Sequence, residues 1–121
     1  MHLFDASALL AYLLDEPGAD TVEEALDEPS ACSAANWAEV AQKVQAHGRD
    51  WRAARTLLLG SDLVIAPVVL EDAELAARLW ATDRHLSLGD RLCLATGERL
   101  DATIWTCDAA WGEGGRIRQL R

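Results

Sequence analysis

The sequence predicts an α/β fold: a three-layer sandwich in which a central parallel sheet of four to five strands is flanked by helices. Two observations carry that expectation. The chain opens with an apolar run, Met1 to Phe4, that reaches one acid at Asp5 and passes into Ser7 to Leu14, apolar on nearly every side. This reads as a buried strand feeding a buried helix. Later apolar runs, above all Leu63-Val-Ile-Ala66 and Ala102 to Thr106, are separated by one or two helical patterns. Strands spaced in this way imply right-handed parallel crossovers.

The elements follow in order. After the first helix, Pro17 and Gly18 form a turn, and Ala19 to Leu26 places Val22, Ala25 and Leu26 at helical spacing. Pro29 to Ser33 is a short strand of small residues. Ala34 to His47 is a helix with Trp37, Val40, Ala41 and Val44 on one stripe, closed by Gly48. Asp50 caps a helix through Leu59 that turns Trp51, Ala54 and Leu58 inward, and Gly60 ends it. After Leu63–Ala66, a helix from Val69 to Trp80 buries residues 69, 70, 73, 76, 77 and 80 and turns Glu71, Asp72, Glu74 and Arg78 outward. Ser87 opens a last helix to about Arg99. Ala102 to Thr106 is a strand, Gly112 to Gly115 a loop, and Arg116 to Leu120 a candidate edge strand.

With 121 residues, half of them apolar and a quarter charged, residues 1–121 are expected to form one domain with a core of its own. There is no basic segment before the first apolar run, Asp5 interrupts that run, and no apolar stretch approaches the roughly 20 residues of a membrane span. The expectation is a cytoplasmic protein without a membrane partner. Cys32, Cys93 and Cys107 are odd in number and widely spaced, which points to small core residues rather than disulfides or a zinc site. The net charge of −9 disfavours a broad surface for coating nucleic acid. Residues 1–28 hold eight acids and no Lys or Arg, whereas Lys43, Arg49, Arg52 and Arg55 cluster mid-chain and Arg116, Arg118 and Arg121 lie near the end. Local grip on a phosphate backbone therefore stays open.

Four acids stand at comparable places. Asp5 and Asp108 follow strands, while Glu39 and Asp90 lie in the first turns of helices that follow strands. Each also has a bland reading. Asp5 and Asp108 suit helix caps, Asn36-x-x-Glu39 and Ser87-x-x-Asp90 resemble capping boxes, and Glu39 with Lys43 makes a favourable i, i+4 pair. Jointly they share one rim of a parallel sheet, where open α/β folds bind ligands. If the first strand neighbours the Ala102–Thr106 strand, Asp5 and Asp108 face across the switch point. Carboxylates so close repel, and a divalent cation removes the conflict. Oxygen donors without His or Cys select Mg²⁺ or Mn²⁺, which points to metal-assisted phosphoryl transfer.

Leu3-Phe-Asp-Ala-Ser-Ala-Leu9, Asn36-Trp-Ala-Glu-Val40, Leu86-Ser-Leu-Gly-Asp-Arg-Leu-Cys-Leu-Ala95 and Trp105-Thr-Cys-Asp-Ala-Ala-Trp111 resemble, in order and spacing, a PIN-domain ribonuclease of the VapC toxin type. The resemblance spans essentially the whole chain. It implies a metal-dependent endoribonuclease, the toxin half of a type II toxin–antitoxin pair, usually dimeric and held inactive by a small cognate antitoxin. Its RNA would be structured, a tRNA or rRNA. Carried over by motif, Asp5, Glu39, Asp90 and Asp108 would bind Mg²⁺ or Mn²⁺ and be the catalytic set, with Ser7 and Thr106 as supporting hydroxyls. A further acid follows the last motif in some relatives, and the nearest here is Glu113.

Around that set, Arg91 and Arg84 are candidate RNA contacts, Arg91 also suiting a surface ion pair. Trp37, Trp51 and Trp80 fall on apolar stripes and are expected in the core, whereas Trp111, beside the glycine-rich loop, is a candidate contact for RNA or antitoxin. The segment Lys43 to Arg55 suits a solvated helix surface or an RNA grip about equally. None of His2, His47 and His85 is needed as a base, because metal-bound water supplies the nucleophile. Rival readings fit less well. A haloacid-type phosphatase wants a second Asp where Ser7 stands, and a receiver-like domain wants an acidic pair and a late Lys. A catalytically silent PIN-like module that binds RNA or protein would be expected to have lost one of the four acids.

Overall fold

The computed structural model describes residues 1–121. Five strands form one sheet: β1 (His2–Phe4), β2 (Ser30–Ser33), β3 (Leu63–Ala66), β4 (Thr103–Thr106) and β5 (Ile117–Gln119), in the order β3-β2-β1-β4-β5, every neighbouring pair parallel. The helices are α1 (Ala6–Leu13), α2 (Ala19–Leu26), α3 (Ala34–Ala46), α4 (Trp51–Leu59), α5 (Leu70–Leu79) and α6 (Leu88–Leu100), with a 3₁₀ turn at Ala109–Trp111. The expected α/β sandwich with a central parallel sheet is thus the observed fold, and the candidate fifth strand is present. Strand order reverses between β1 and β4, which pair through His2–Thr103, Leu3–Ile104 and Phe4–Trp105.

Alternation along the strands divides the core. Phe4 and Cys32 face a cluster with Leu9, Leu10, Val22, Leu26, Val40, Val44 and Leu58 from α1 to α4. Leu3, Ala31 and Ile104 face the other way, onto Leu86, Cys93 and Trp111. Strands buried on both faces are what a parallel sheet covered by helices demands. Gly97 lies where α6 crosses this second layer. A Cβ there would stand 2.5 Å from the Ile104 Cδ1 and 3.4 Å from the Leu3 Cδ2, so close helix–strand approach explains a glycine in a helix interior.

Several details differ from the sequence reading. Asp72, assigned to the solvent face of α5, is 1% exposed: its carboxylate accepts from the Val69 backbone N–H and from two Arg99 nitrogens at 2.9 and 3.0 Å. The charge turns inward because a partner on α6 meets it. Burial works to raise its pKa, but the Arg99 bonds, the Val69 N–H and the Arg99 charge together hold it below the usual carboxylate value. Trp80, expected in the core, is exposed and lies under the Arg84 guanidinium, 4.5 Å from the ring centroid; it shares the exposed face of α5 with Leu70, Ala73 and Ala77, also expected inward, because the helix turns Asp72 and Ala76 to the core instead. Trp37 and Trp51 are half-buried and meet edge to face at 5.1 Å. Cys32 and Cys93 are buried, Cys107 is half-buried, and no disulfide links them. No helix is long and apolar enough to cross a membrane.

Candidate active site

The β1 ladder continues into Asp5, whose N–H donates to the Trp105 carbonyl at 3.2 Å. This fixes the residue at the mouth of the β1–β4 seam. Asp5 then leaves the strand in extended conformation and caps α1, its Oδ1 accepting from the Ala8 N–H at 2.8 Å. The capping bond and the position at the mouth of the seam therefore belong to one side chain. The same oxygen accepts from the Ser7 hydroxyl at 2.7 Å, and Oδ2 accepts from the Thr106 hydroxyl at 2.5 Å. Ser7 Oγ in turn accepts the Cys107 N–H, and Thr106 Oγ1 accepts the Asp108 N–H at 3.0 Å. Two hydroxyls thus join the start of α1 to the segment after β4.

Asp5 is 4% exposed, and burial pushes its pKa up to about 6 against the bonds from Thr106, Ser7 and Ala8 that lower it, while the negative charge of Asp90 adds to the rise. Asp90 reaches this neighbourhood from the first turn of α6. Ser87 caps that helix by accepting the Asp90 N–H at 3.1 Å, and one Asp90 oxygen accepts the Ser87 N–H at 3.1 Å. The capping box is real, with Asp where Glu or Gln is usual.

Glu39 sits in the second turn of α3. The N-cap of that helix is Ser33, at the end of β2, not Asn36: the Asn36 N–H donates to Ser33 Oγ at 3.1 Å. Both residues are good cap formers, and the strand's end decides between them. Asn36 is 1% exposed and acts in the interior instead, its amide nitrogen donating to Glu39 Oε1 at 2.8 Å and to the Gly89 carbonyl at 3.3 Å. No ion pair joins Glu39 to Lys43; the i, i+4 contact expected there is not among the chain's salt bridges. The buried Cys93 thiol feels the charges of Asp5, Asp90 and Glu39, all of which add to the effect of burial in raising its pKa.

Asp108 stands at the outer side. Its side chain caps the 3₁₀ turn through the Ala110 N–H at 2.9 Å, its carbonyl accepts from Gln119 on β5, and the residue is exposed. Glu113 is exposed in the glycine-rich loop. Arg91 turns beneath α5 and donates to the Ala76 carbonyl at 2.7 Å, forming no ion pair. Arg84 is exposed against Trp80. Trp111, expected as a surface contact, is 7% exposed and packs against the second core cluster; the irregular 3₁₀ turn that folds it inward has no periodicity to read. His2 accepts from the Trp105 indole at 3.0 Å and bonds Glu28, His47 bonds the Lys43 carbonyl, and His85 the Ala110 carbonyl. Asn36 and Gly89 are the residues of this rim that the sequence reading did not assign to it. Their signal was the coincidence of Asn36-x-x-Glu39 with Gly89-Asp90.

A buried carboxylate with an acidic neighbour and oxygen-only donors is the chemistry that a hard divalent cation fits. No three His, Cys, Asp or Glu side chains stand together at ligand spacing.

The profile of the PIN-domain family matches residues 3–115, and the chain belongs to that family. The fold is shared with a toxin–antitoxin complex from Klebsiella pneumoniae (21% identity, 100% of this chain and 98% of that one, TM-score 0.84). It is shared with VapBC2 from Rickettsia felis bound to a DNA fragment from the promoter of its own genes (12%, 98% and 97%, TM-score 0.76). The sarcin–ricin-loop-cleaving toxin VapC20 from Mycobacterium tuberculosis is likewise similar (16%, 98% and 99%, TM-score 0.71). No curated protein matches the chain.

Proposed function

We propose that this chain is a Mg²⁺- or Mn²⁺-dependent endoribonuclease that acts as the toxin of a type II toxin–antitoxin pair and hydrolyses phosphodiester bonds in structured RNA, a tRNA or rRNA. The observation that carries the reading is the Asp5 carboxylate, buried at the sheet's switch point, bonded by Ser7 and Thr106 and close enough to Asp90 to be raised by its charge. Membership of the PIN family supports it. So does the likeness in fold to a toxin that cleaves the sarcin–ricin loop and to a toxin–antitoxin complex, which also suggests a cognate antitoxin as partner. The site is proposed to work in a homodimer in the cytoplasm.

In this mechanism Asp5, Asp90, Glu39 and Asp108 are the residues that would hold the cation. The ion, when bound, lowers the pKa of a water and stabilises the leaving oxygen. The protein's own residues set the stage. Thr106 and Ser7 fix both Asp5 oxygens, so the carboxylate does not rotate. Burial of Asp5 beside the Asp90 charge disfavours a bare carboxylate there, a conflict that a bound cation would relieve. The capping bonds of Asp90 keep its carboxylate at the end of α6. No histidine is hydrogen-bonded to these acids; His85 bonds the Ala110 carbonyl instead.

The test is cleavage of total cellular RNA by purified, antitoxin-free protein with Mn²⁺ or Mg²⁺, beside an EDTA control and Asp90→Asn. Asparagine retains an oxygen for the Ser87 N–H, so the fold is kept. Discrete fragments that require both metal and Asp90 are expected. A fully active Asp90→Asn sinks the acidic mechanism, and folded, metal-binding protein that cuts no RNA favours a silent binding module.

A further inference from the structure

We propose that Asn36 is the positioning residue of the candidate site, and that it acts by tying the Glu39 carboxylate to the Gly89–Asp90 turn; the inference rests on the metal-site reading above. Glu39 belongs to α3 and Asp90 to α6, two helices joined at this rim by a single buried amide. Asn36 Oδ1 accepts the Ser33 hydroxyl at 2.9 Å, which leaves Nδ2 facing Glu39 Oε1 at 2.8 Å and the Gly89 carbonyl at 3.3 Å. Both of the latter partners are acceptors only, so the amide has one satisfied orientation. Ser33 also accepts the Asn36 backbone N–H, and the whole unit is locked from the end of β2.

Two further facts give the tie a direction. Gly89 has no side chain where one would collide: a Cβ built there falls on the Glu39 Oε1, so the Glu39 carboxylate would have to swing away to admit it. The Glu39 carboxylate therefore lies flat against the α6 backbone, one residue before Asp90. Moreover, the donor that holds it is neutral. A lysine or arginine in that place would offset the carboxylate's charge, whereas an amide orients one oxygen without adding a positive charge and makes no bond to the other. This is the role expected of a group behind a metal ligand, whose loss typically weakens metal affinity about 10- to 100-fold.

The test is Mn²⁺ binding by calorimetry, with melting in EDTA alongside, on antitoxin-free wild type, Asn36→Ala, Gly89→Ala, Glu39→Gln and the Asn36→Ala/Glu39→Gln double variant. Asn36→Ala and Gly89→Ala are each expected to weaken Mn²⁺ about 10- to 100-fold, and the double variant to bind no more weakly than Glu39→Gln. Gly89→Ala guards against a mere folding defect. Alanine is the better helix former, and the clash is with the far end of a side chain, so melting holds or rises while affinity falls. Wild-type Mn²⁺ affinity in Asn36→Ala and Gly89→Ala, with Glu39→Gln still impaired, overturns the positioning role and leaves the metal site standing. Additive losses in the double variant overturn it too, because Asn36 then acts apart from Glu39. Absence of Mn²⁺ binding by wild type removes the metal site, and the positioning role with it.

Discussion

The Thr106 hydroxyl and the Asp5 carboxylate lie 101 residues apart in the chain and 2.5 Å apart across the β1–β4 seam. The bond is made between a buried residue and one that is 4% exposed, and it is the largest of the contacts that hold the Asp5 pKa down against burial.

Removing the donor while keeping the shape isolates its effect. Thr106→Val deprives a buried carboxylate of a partner and the Asp108 N–H of its acceptor, at an expected cost of about 1–3 kcal/mol at pH 7.5. Urea denaturation measures the cost. Carboxyl ¹³C titration should show Asp5 taking up its proton at higher pH than in wild type, and an unchanged midpoint would refute the assigned bond.

The raised pKa also fixes a sign. An acid whose folded value lies near 6, above its ordinary 3.8, contributes stability below about pH 4 that is lost as pH rises through 6, on the order of 3 kcal/mol for this shift. Asp5→Asn, in EDTA, is therefore expected to melt above wild type at pH 7.5 and to lose that advantage toward pH 4. Adding Mn²⁺ should raise the melting point of wild type and not of Asp5→Asn. A variant less stable than wild type at pH 7.5 counts against the burial account.

The Asp72–Arg99 pair makes the opposite prediction with pH. Asp72 is held below the usual range by Arg99 and the Val69 N–H, so its contribution is present at neutral pH and lost as pH falls through its lowered value. Asp72→Ala leaves the exposed Arg99 and the Val69 N–H without their carboxylate and is expected to cost about 1–2 kcal/mol at pH 7. Chemical denaturation at pH 7 and pH 3 should show the difference between variant and wild type shrinking in acid.

For Gly97, the packing and the helix propensity oppose each other. Alanine favours a helix by about 1 kcal/mol, but its Cβ would stand 2.5 Å from the Ile104 Cδ1 and 2.7 Å from its Cγ1. Overpacking of this kind typically costs 1–3 kcal/mol, so Gly97→Ala is expected to be net destabilising by about 1 kcal/mol. A more stable variant would show that the Ile104 side chain yields freely.

Much of this architecture was legible because strands and helices alternate cleanly and the first strand is apolar on both faces. For the acids, a capping role and a place at the rim do not exclude each other: Asp5, Asp90 and Asp108 each bond a backbone N–H at a helix or turn start and each stand at the rim. One carboxylate oxygen satisfies a helix end, and the group is thereby held where a ligand would meet it. What escaped the sequence was set by tertiary partners. Asp72 points inward because Arg99, 27 residues on, is there to receive it. Asn36 looked like a cap because Ser33, the actual cap, also ends a strand. Trp111 is buried by a turn without a period, and Trp80 lies outside because α5 turns Asp72 and Ala76 to the core.

The strand order carries a consequence for synthesis. β1 is made first yet lies at the centre, between β2 and β4, and Asp5 receives its Thr106 bond only from a segment made about a hundred residues later. A growing chain can pair β1 with β2, and β2 with β3, early, but its acidic rim lacks Asp90, Thr106 and Asp108 until the later segments that carry them have been made. Pairing of such distant segments is also the slow part of folding. On the proposed reading, a destructive activity is thereby withheld from every unfinished copy, and a partner protein has the interval of translation in which to arrive.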